Sequence, residues 1–217
     1  MTQFETEMQD LKLEVINMWQ LVLSQLSKAK ESMLTFDKDL AREVMAREKR
    51  VNSLELKIDR DCENIFALYC PVAIDLRFLL AALKINTNLE RIGDIADGIA
   101  RYIVDSPVKF NKEVLESTNL IKMYDGSMSM LTDVQAAFEF ENTLLARTIF
   151  SRDEVLDQIN KDSDANISKY IHESLGNINE SLYILSIIRK LERVGDQSKN
   201  IAEEIIFYVE AKVLKHQ

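Results

Sequence analysis

A heptapeptide occurs twice in this 217-residue chain, as NLERIGD at residues 88–94 and as KLERVGD at residues 190–196. The offset between the two copies is 190 − 88 = 102 residues, close to half of the chain. A second block, LAREVMARE at residues 40–48, matches LARTIFSRD at residues 145–153, at an offset of 145 − 40 = 105. Because these two offsets differ by only three residues, we interpret the chain as a tandem duplication of one unit.

Both copies are predicted to be helical. The chain has only 2 prolines and 5 glycines with which to form turns, and its apolar residues recur at spacings of three and four without strand-like alternation. In the first copy we predict three helices, one through residues 11–44, one through residues 51–65 and one through residues 76–103. Pro71 and Pro107 follow the second and third helices and are expected to end them.

The predicted fold is therefore all-α, with two tandem three-helix bundles related by internal duplication. We expect the first bundle over residues 1–107 and the second over residues 108–217, with a boundary near Pro107. In the second copy, the stretch YDGSMS at residues 124–129 is expected to break or bend the first helix.

Acidic residues recur at helical spacing in the first copy. Glu90, Asp94 and Asp97 lie on one side of the third predicted helix, and Glu55 and Asp59 form a similar pair on the second. This acidic face lies well around the helix from the apolar stripe, so we expect it outside the core. An antiparallel second helix would bring the two acidic pairs together. Two interpretations stay open, a solvated surface or a site that binds a cation.

The second copy keeps only part of this pattern. Glu192 and Asp196, on the third helix of the second copy, correspond to Glu90 and Asp94. Asp164, on the second helix of the second copy, corresponds to Asp59. Asn160 stands where the first copy predicts a glutamate, and Lys199 stands where it predicts an aspartate. A cation site in the second copy is therefore expected to be the weaker one.

Carboxylates that converge without neutralising cations imply a bound metal ion. Oxygen ligands favour iron, manganese, magnesium or calcium and, less typically, zinc. Gly93 and Gly195 lie inside the predicted helices beside the acids, although glycine in a helix costs about 1 kcal/mol relative to alanine. We interpret both glycines as making room for a neighbouring helix or a metal cluster.

Composition excludes several classes of function. A net charge of −9 argues against a protein that wraps duplex nucleic acid. The longest apolar runs are far shorter than the roughly 20 residues that a bilayer span needs. Neither of the two histidines belongs to an ExxH motif, which disfavours a ferritin-like oxidase. A carboxylate-bridged metal enzyme of another kind stays an alternative.

The stretch CPVAIDLRFLLAALKINTNLERIGDIADGIA at residues 70–100 resembles the PhoU family of phosphate-uptake regulators. That family shows P-x-A-x-D-L-R followed by L-E-R-I-G-D in two tandem three-helix repeats, and the resemblance covers essentially the whole chain. It implies a cytoplasmic adaptor, not an enzyme, that represses phosphate-starvation genes beside a phosphate ABC transporter and a sensor histidine kinase. It also implies a homodimer that reaches the membrane only through its partners.

The same resemblance implies the metal ligands, because ExxxD motifs on the second and third helices of the family hold surface metal clusters. Carried over to this chain, they give Glu55, Asp59, Glu90, Asp94 and Asp97 in the first copy, and Asp164, Glu192 and Asp196 in the second. The metal would be iron, with manganese, magnesium or zinc as alternatives. An accessory helical domain of a different phosphate transporter is the remaining alternative function.

Overall fold

A computed structural model describes residues 2–173 and 178–214 of the chain. These residues form α-helices and connecting turns, with no β-strand among them, which confirms the all-α prediction. The described residues form seven helices, which are, in chain order, α1 Gln3–Thr35, α2 Lys38–Tyr69, α3 Ala73–Asp105, α4 Lys112–Ser117, α5 Leu120–Glu139, α6 Thr143–Glu173 and α7 Ile178–Glu210.

The first predicted helix is too long at its C-terminal end. It was expected to continue to residue 44, but α1 ends at Thr35 and the next residue, Phe36, has a left-handed φ of 60°. The side chain of Asp37 then accepts hydrogen bonds from the backbone N–H groups of Asp39 and Leu40, which caps the start of α2. The apolar period continues through this turn because both helices face one core, so periodicity alone could not reveal the turn.

The helix break expected at residues 124–129 is absent. Helix α5 runs without a break through this stretch, and the interruption lies earlier, at Asn119, whose φ is 55°. Gly126 has a packing role instead, since a Cβ there would lie 3.1 Å from Leu156 Cδ2 on α6. The first helix of the second copy is therefore divided into the short α4 and the longer α5.

The helices form two antiparallel three-helix sets, α1, α2 and α3 in the first and α5, α6 and α7 in the second. Helix α3 packs along α7, and α1 packs along α5, so the two sets share one continuous apolar core. Trp19 donates a hydrogen bond from Nε1 to the carbonyl oxygen of Leu131 at 3.1 Å across this interface. An aromatic cluster of Trp19, Phe78, Phe138 and Tyr208 extends the contact between the two sets.

Candidate metal centre

Three carboxylates meet at the seam between α2 and α3. Glu90 and Asp94 lie one turn apart on α3, and Glu48 reaches them from the antiparallel α2. One oxygen from each side chain lies within 4.8 Å of the others. The two helices thus bring acidic groups together, and Glu48, which the sequence did not identify, lies closest to Glu90 and Asp94, with the predicted Glu55 near enough to act on both electrostatically.

Glu48 has the least usual environment of the three. Both of its carboxylate oxygens are buried and accept no hydrogen bond of normal geometry within the described residues, although the nearby Gln25 amide acts to lower the pKa of Glu48. Burial, and after it the negative charge of Asp94, raises the pKa of Glu48 from 4.5 to about 7. A buried carboxylate without a donor is costly unless a proton or a cation neutralises it.

The repeated glycine explains how α2 comes so close. A Cβ on Gly93 would lie 3.1 Å from Val51 Cγ1 and 3.4 Å from Glu48 Oε2. A side chain at this position would therefore press on the buried carboxylate and on the core residue beside it. The interpretation of Gly93 as room for a neighbouring helix fits this geometry.

Glu55 and Asp59 continue the acidic seam along α2. Burial raises the pKa of Glu55, and the negative charges of Asp59 and Asp94 raise it further. Asp59 Oδ1 accepts a hydrogen bond of 2.9 Å from the Asn86 side-chain amide, which also donates to the Glu55 carbonyl oxygen at 3.0 Å. Asn86 is thus one neutral donor that orients Asp59, while Glu55 lies electrostatically close to the three-carboxylate group.

Asp97 was expected on a solvated acidic face, and the structure corrects this expectation. Asp97 is buried, with 7% of its surface exposed, because α3 is covered by α2 on one side and by α7 on the other. Its Oδ2 accepts a hydrogen bond of 2.6 Å from Arg101 Nε on the next turn of the same helix. Asp97 therefore already has a cationic partner.

In the second repeat, Asp153 on α6 takes the position of Glu48 and is almost fully buried. A Cβ on Gly195 would lie 2.9 Å from Asp153 Oδ1, so this glycine again makes room for an acid on the facing helix. Burial raises the pKa of Glu192, as do the negative charges of Asp196, Asp157 and Asp153.

The remaining predicted ligand of the second repeat lies apart from this group. Asp164 is largely exposed and pairs with Arg189 Nη2 at 3.4 Å. The acids that act electrostatically on Glu192 and Asp196 are instead Asp153 and Asp157, which ExxxD spacing does not identify. Asn160 also offers no charge, as noted from the sequence.

The first-repeat group suits a hard metal ion. Glu48, Glu90 and Asp94 supply oxygen ligands only, and full ionisation would place three negative charges within a few ångströms. Sequence reasoning missed Glu48 because its spacing matches no ExxxD motif. The repeat itself contained the signal, since Glu48 aligns with Asp153 and acidic character is kept in both copies.

Comparison with known proteins identifies the family. The model of the PhoU domain matches residues 15–103 and 120–205, one match for each repeat. Among curated proteins, the phosphate-specific transport system accessory protein PhoU of Edwardsiella tarda is 34% identical over 99% of this chain and 87% of its own length. The protein of the same name from Escherichia coli is 33% identical over 99% of this chain and 88% of its own length.

Solved structures agree with this result. The crystal structure of PhoU from Pseudomonas aeruginosa superposes with a TM-score of 0.88 at 28% sequence identity. The superposition covers 97% of this chain and 100% of the Pseudomonas aeruginosa chain. PhoU from Streptococcus pneumoniae gives a TM-score of 0.85, also at 28% identity. Within residues 2–173 and 178–214, no helix has the length and apolar character needed to cross a membrane. With both repeats matched by the family model and relatives alike over nearly the full length, the chain belongs to the PhoU family.

Proposed function

We propose that this protein is a regulatory adaptor of phosphate uptake that acts by binding rather than by catalysis. The observation that carries the proposal is similarity over nearly the whole chain to proteins named as accessory to the phosphate-specific transport system. Its partners would be a phosphate ABC transporter and a sensor histidine kinase in the cytoplasm. It would repress phosphate uptake and the phosphate-starvation response when phosphate is plentiful.

The regulatory role is tested by complementation. A strain that lacks this protein should express a phosphate-starvation reporter in phosphate-rich medium, and the wild-type chain should restore repression. A reporter that stays repressed in the deletion strain would contradict the proposed negative regulation. Purified protein should also bind at least one of two partners, the transporter's ATPase subunit or the kinase. Absence of binding to both would contradict the adaptor role.

The same proposal includes a metal ion at the seam between α2 and α3. Glu48, Glu90 and Asp94 would bind it, with Glu55 and Asp59 adjoining, because a cation would neutralise the Glu48 carboxylate, whose oxygens are buried and accept no hydrogen bond of normal geometry within the described residues. Iron is the expected metal, with manganese, magnesium or zinc as alternatives. When bound, the ion would stabilise the folded chain by mass action. The chain's own residues hold the two helices in register around it.

Metal binding is tested by elemental analysis of protein purified without an affinity tag or a chelator. Glu90→Gln combined with Asp94→Asn should remove most of the metal while the helical circular dichroism spectrum stays the same. The matched control is Glu192→Gln with Asp196→Asn, which makes the same chemical change in the second repeat and should alter metal content little. Equal metal in the wild type and in the Glu90/Asp94 variant would contradict the site.

Assembly belongs to the proposal as well. We propose a homodimer without nucleic-acid binding, and the net charge of −9 supports the second part. Light scattering across a wide concentration range should give a mass above the 25.0 kDa of one chain. A constant monomer mass would contradict the dimer.

A further inference from the structure

The two repeats place a buried acid at the same point but differ in what neutralises it. Glu48 on α2 and Asp153 on α6 align at the offset 153 − 48 = 105, and each faces the repeated glycine of the facing helix. Since the surrounding packing is shared, the two positions can be compared residue by residue.

In the second repeat a lysine lies beside the buried acid. Lys199 Nζ donates a hydrogen bond of 2.9 Å to Asp153 Oδ2, and the side chain of Asp153 is only 3% exposed. The other oxygen of Asp153, Oδ1, is buried and has no hydrogen-bond partner in the described part of the chain. The Lys199 ammonium is thus the cation that this group of acids holds.

In the first repeat, no lysine of the described residues donates a hydrogen bond to the equivalent acid, Glu48. The position equivalent to Lys199 is Asp97, at the offset 199 − 97 = 102, and the Asp97 side chain pairs with Arg101 on its own helix. Among the residues described, neither oxygen of Glu48 accepts a hydrogen bond of normal geometry, and the nearby side chain that acts on it as a donor, Gln25, is neutral. One repeat therefore hydrogen-bonds its buried acid to a lysine, whereas in the other the nearby cations Arg101 and Lys190 act on Glu48, or on Asp94 and Asp97, without a hydrogen bond to Glu48.

We propose that the ammonium of Lys199 takes the place of a metal ion in the second repeat, so that this chain has a single metal centre, in the first repeat. The second part of this inference rests on the proposed metal site at Glu48, Glu90 and Asp94. The first part does not, because it concerns only residues of α6 and α7.

The acids around Lys199 would bind a metal if the lysine were absent. Burial raises the pKa of Glu192 and of Asp196, and the negative charges of Asp153 and Asp157 raise both further, while Lys199 acts in the opposite direction on Asp153 and Asp196. A fixed positive charge within hydrogen-bond distance of the central acid repels a divalent cation and occupies one of its ligand oxygens. Lys199 thus both blocks the position and removes the charge imbalance that would attract a metal.

The test uses full-length, metal-free protein titrated with Mn²⁺ alone and isolates the second repeat by removing the first site. In a Glu90→Gln, Asp94→Asn background we expect no saturable Mn²⁺ binding. Adding Lys199→Met to that background should create saturable binding, and adding Glu192→Gln with Asp196→Asn should abolish it again. Lys199→Arg is the matched control, because it keeps the positive charge and should bind no Mn²⁺.

Thermal unfolding gives a second measurement. Without metal, Lys199→Met leaves Asp153 buried and unpaired, so its melting temperature should fall, and Mn²⁺ should restore it. A variant that is unfolded without metal should refold when Mn²⁺ is added, which would support the inference in the same way. The Lys199→Arg control should melt near the wild type and show no Mn²⁺ effect in the Glu90/Asp94 background.

Two results would overturn the inference. The first is saturable Mn²⁺ binding by the Glu90→Gln, Asp94→Asn variant with Lys199 intact, if that binding is lost when Glu192 and Asp196 are also replaced. The other is a Lys199→Met variant that neither gains Mn²⁺ binding nor is stabilised by Mn²⁺. If the proposed first-repeat site does not exist, the wild-type protein will bind no Mn²⁺. That result would leave the test of Lys199 in the second repeat unaffected.

Discussion

At the scale of single residues, Glu48 makes the stability of the metal-free protein depend on pH. The folded chain holds the Glu48 proton up to a pKa of about 7, whereas an unfolded chain releases it near 4.5. The folded state therefore binds more protons between these two values, and its stability falls as pH rises through them. The cause is burial, with the charge of Asp94 second.

Replacing Glu48 with glutamine should remove this penalty. We expect metal-free Glu48→Gln to be more stable than the wild type at about pH 8 and similar to it at about pH 4, where the wild-type group is protonated. Urea unfolding of chelator-treated protein at both pH values is the measurement. The same variant should bind metal more weakly, because an amide is a poorer ligand for hard cations than a carboxylate. A variant less stable than the wild type at both pH values would contradict this account.

At the scale of helices, the two repeated glycines set how closely paired helices pack. A Cβ on Gly93 would meet Val51 Cγ1 at 3.1 Å, which requires a shift of a few tenths of an ångström. A Cβ on Gly195 would meet Leu156 Cδ1 at 2.7 Å and Asp153 Oδ1 at 2.9 Å, and Lys199 holds that aspartate in place. The second contact is therefore the harder one to relieve.

Alanine substitution should separate the two positions. Alanine gains about 1 kcal/mol over glycine in a helix, which should offset the small clash at Gly93 and leave stability nearly unchanged. At Gly195, overpacking of about 1 to 3 kcal/mol should exceed that gain and destabilise the protein. Chemical denaturation of Gly93→Ala and Gly195→Ala under chelating conditions gives both values. Equal effects at the two sites would show that the close contact with Asp153 does not limit packing.

At the scale of the whole molecule, the two repeats share one core, so they should unfold together. Trp19, the only tryptophan of the chain, lies in the first repeat and bonds to the Leu131 carbonyl oxygen in the second. Tyr124 makes the reciprocal contact, donating from its buried hydroxyl to the Leu26 carbonyl oxygen at 2.9 Å. Neither repeat can unfold alone without breaking these hydrogen bonds and exposing the aromatic cluster between the two repeats to solvent.

Trp19 fluorescence and far-UV circular dichroism should therefore give the same denaturation midpoint, since a single cooperative transition changes all probes together. Tyr124→Phe should lower that midpoint for both probes by an amount equivalent to about 1 kcal/mol, the usual net value of a hydrogen bond. Helical signal lost in two steps, with only one step seen by Trp19, would show that the repeats unfold independently.

Local patterns in the sequence were enough to predict the helical class, the duplication and the acidic pairs on α3 and α7. Apolar residues at spacings of three and four fix helices whatever their partners are, and Glu90 with Asp94 shares a helix face by geometry alone. The glycine in each copy also marked the close approach of a second helix. These features depend on residues close together in the chain, so they could be determined before any helix was packed.

Only the tertiary structure decided which groups meet across helices. The register between α2 and α3 adds Glu48 to Glu90 and Asp94, next to the Glu55 that the motif spacing identifies. The cover that α2 and α7 provide buries Asp97, and the register between α6 and α7 sets Lys199 against Asp153. These contacts depend on how far one helix is shifted along another. That shift is set by packing over the whole shared core and is not encoded in the spacing of residues within a single helix.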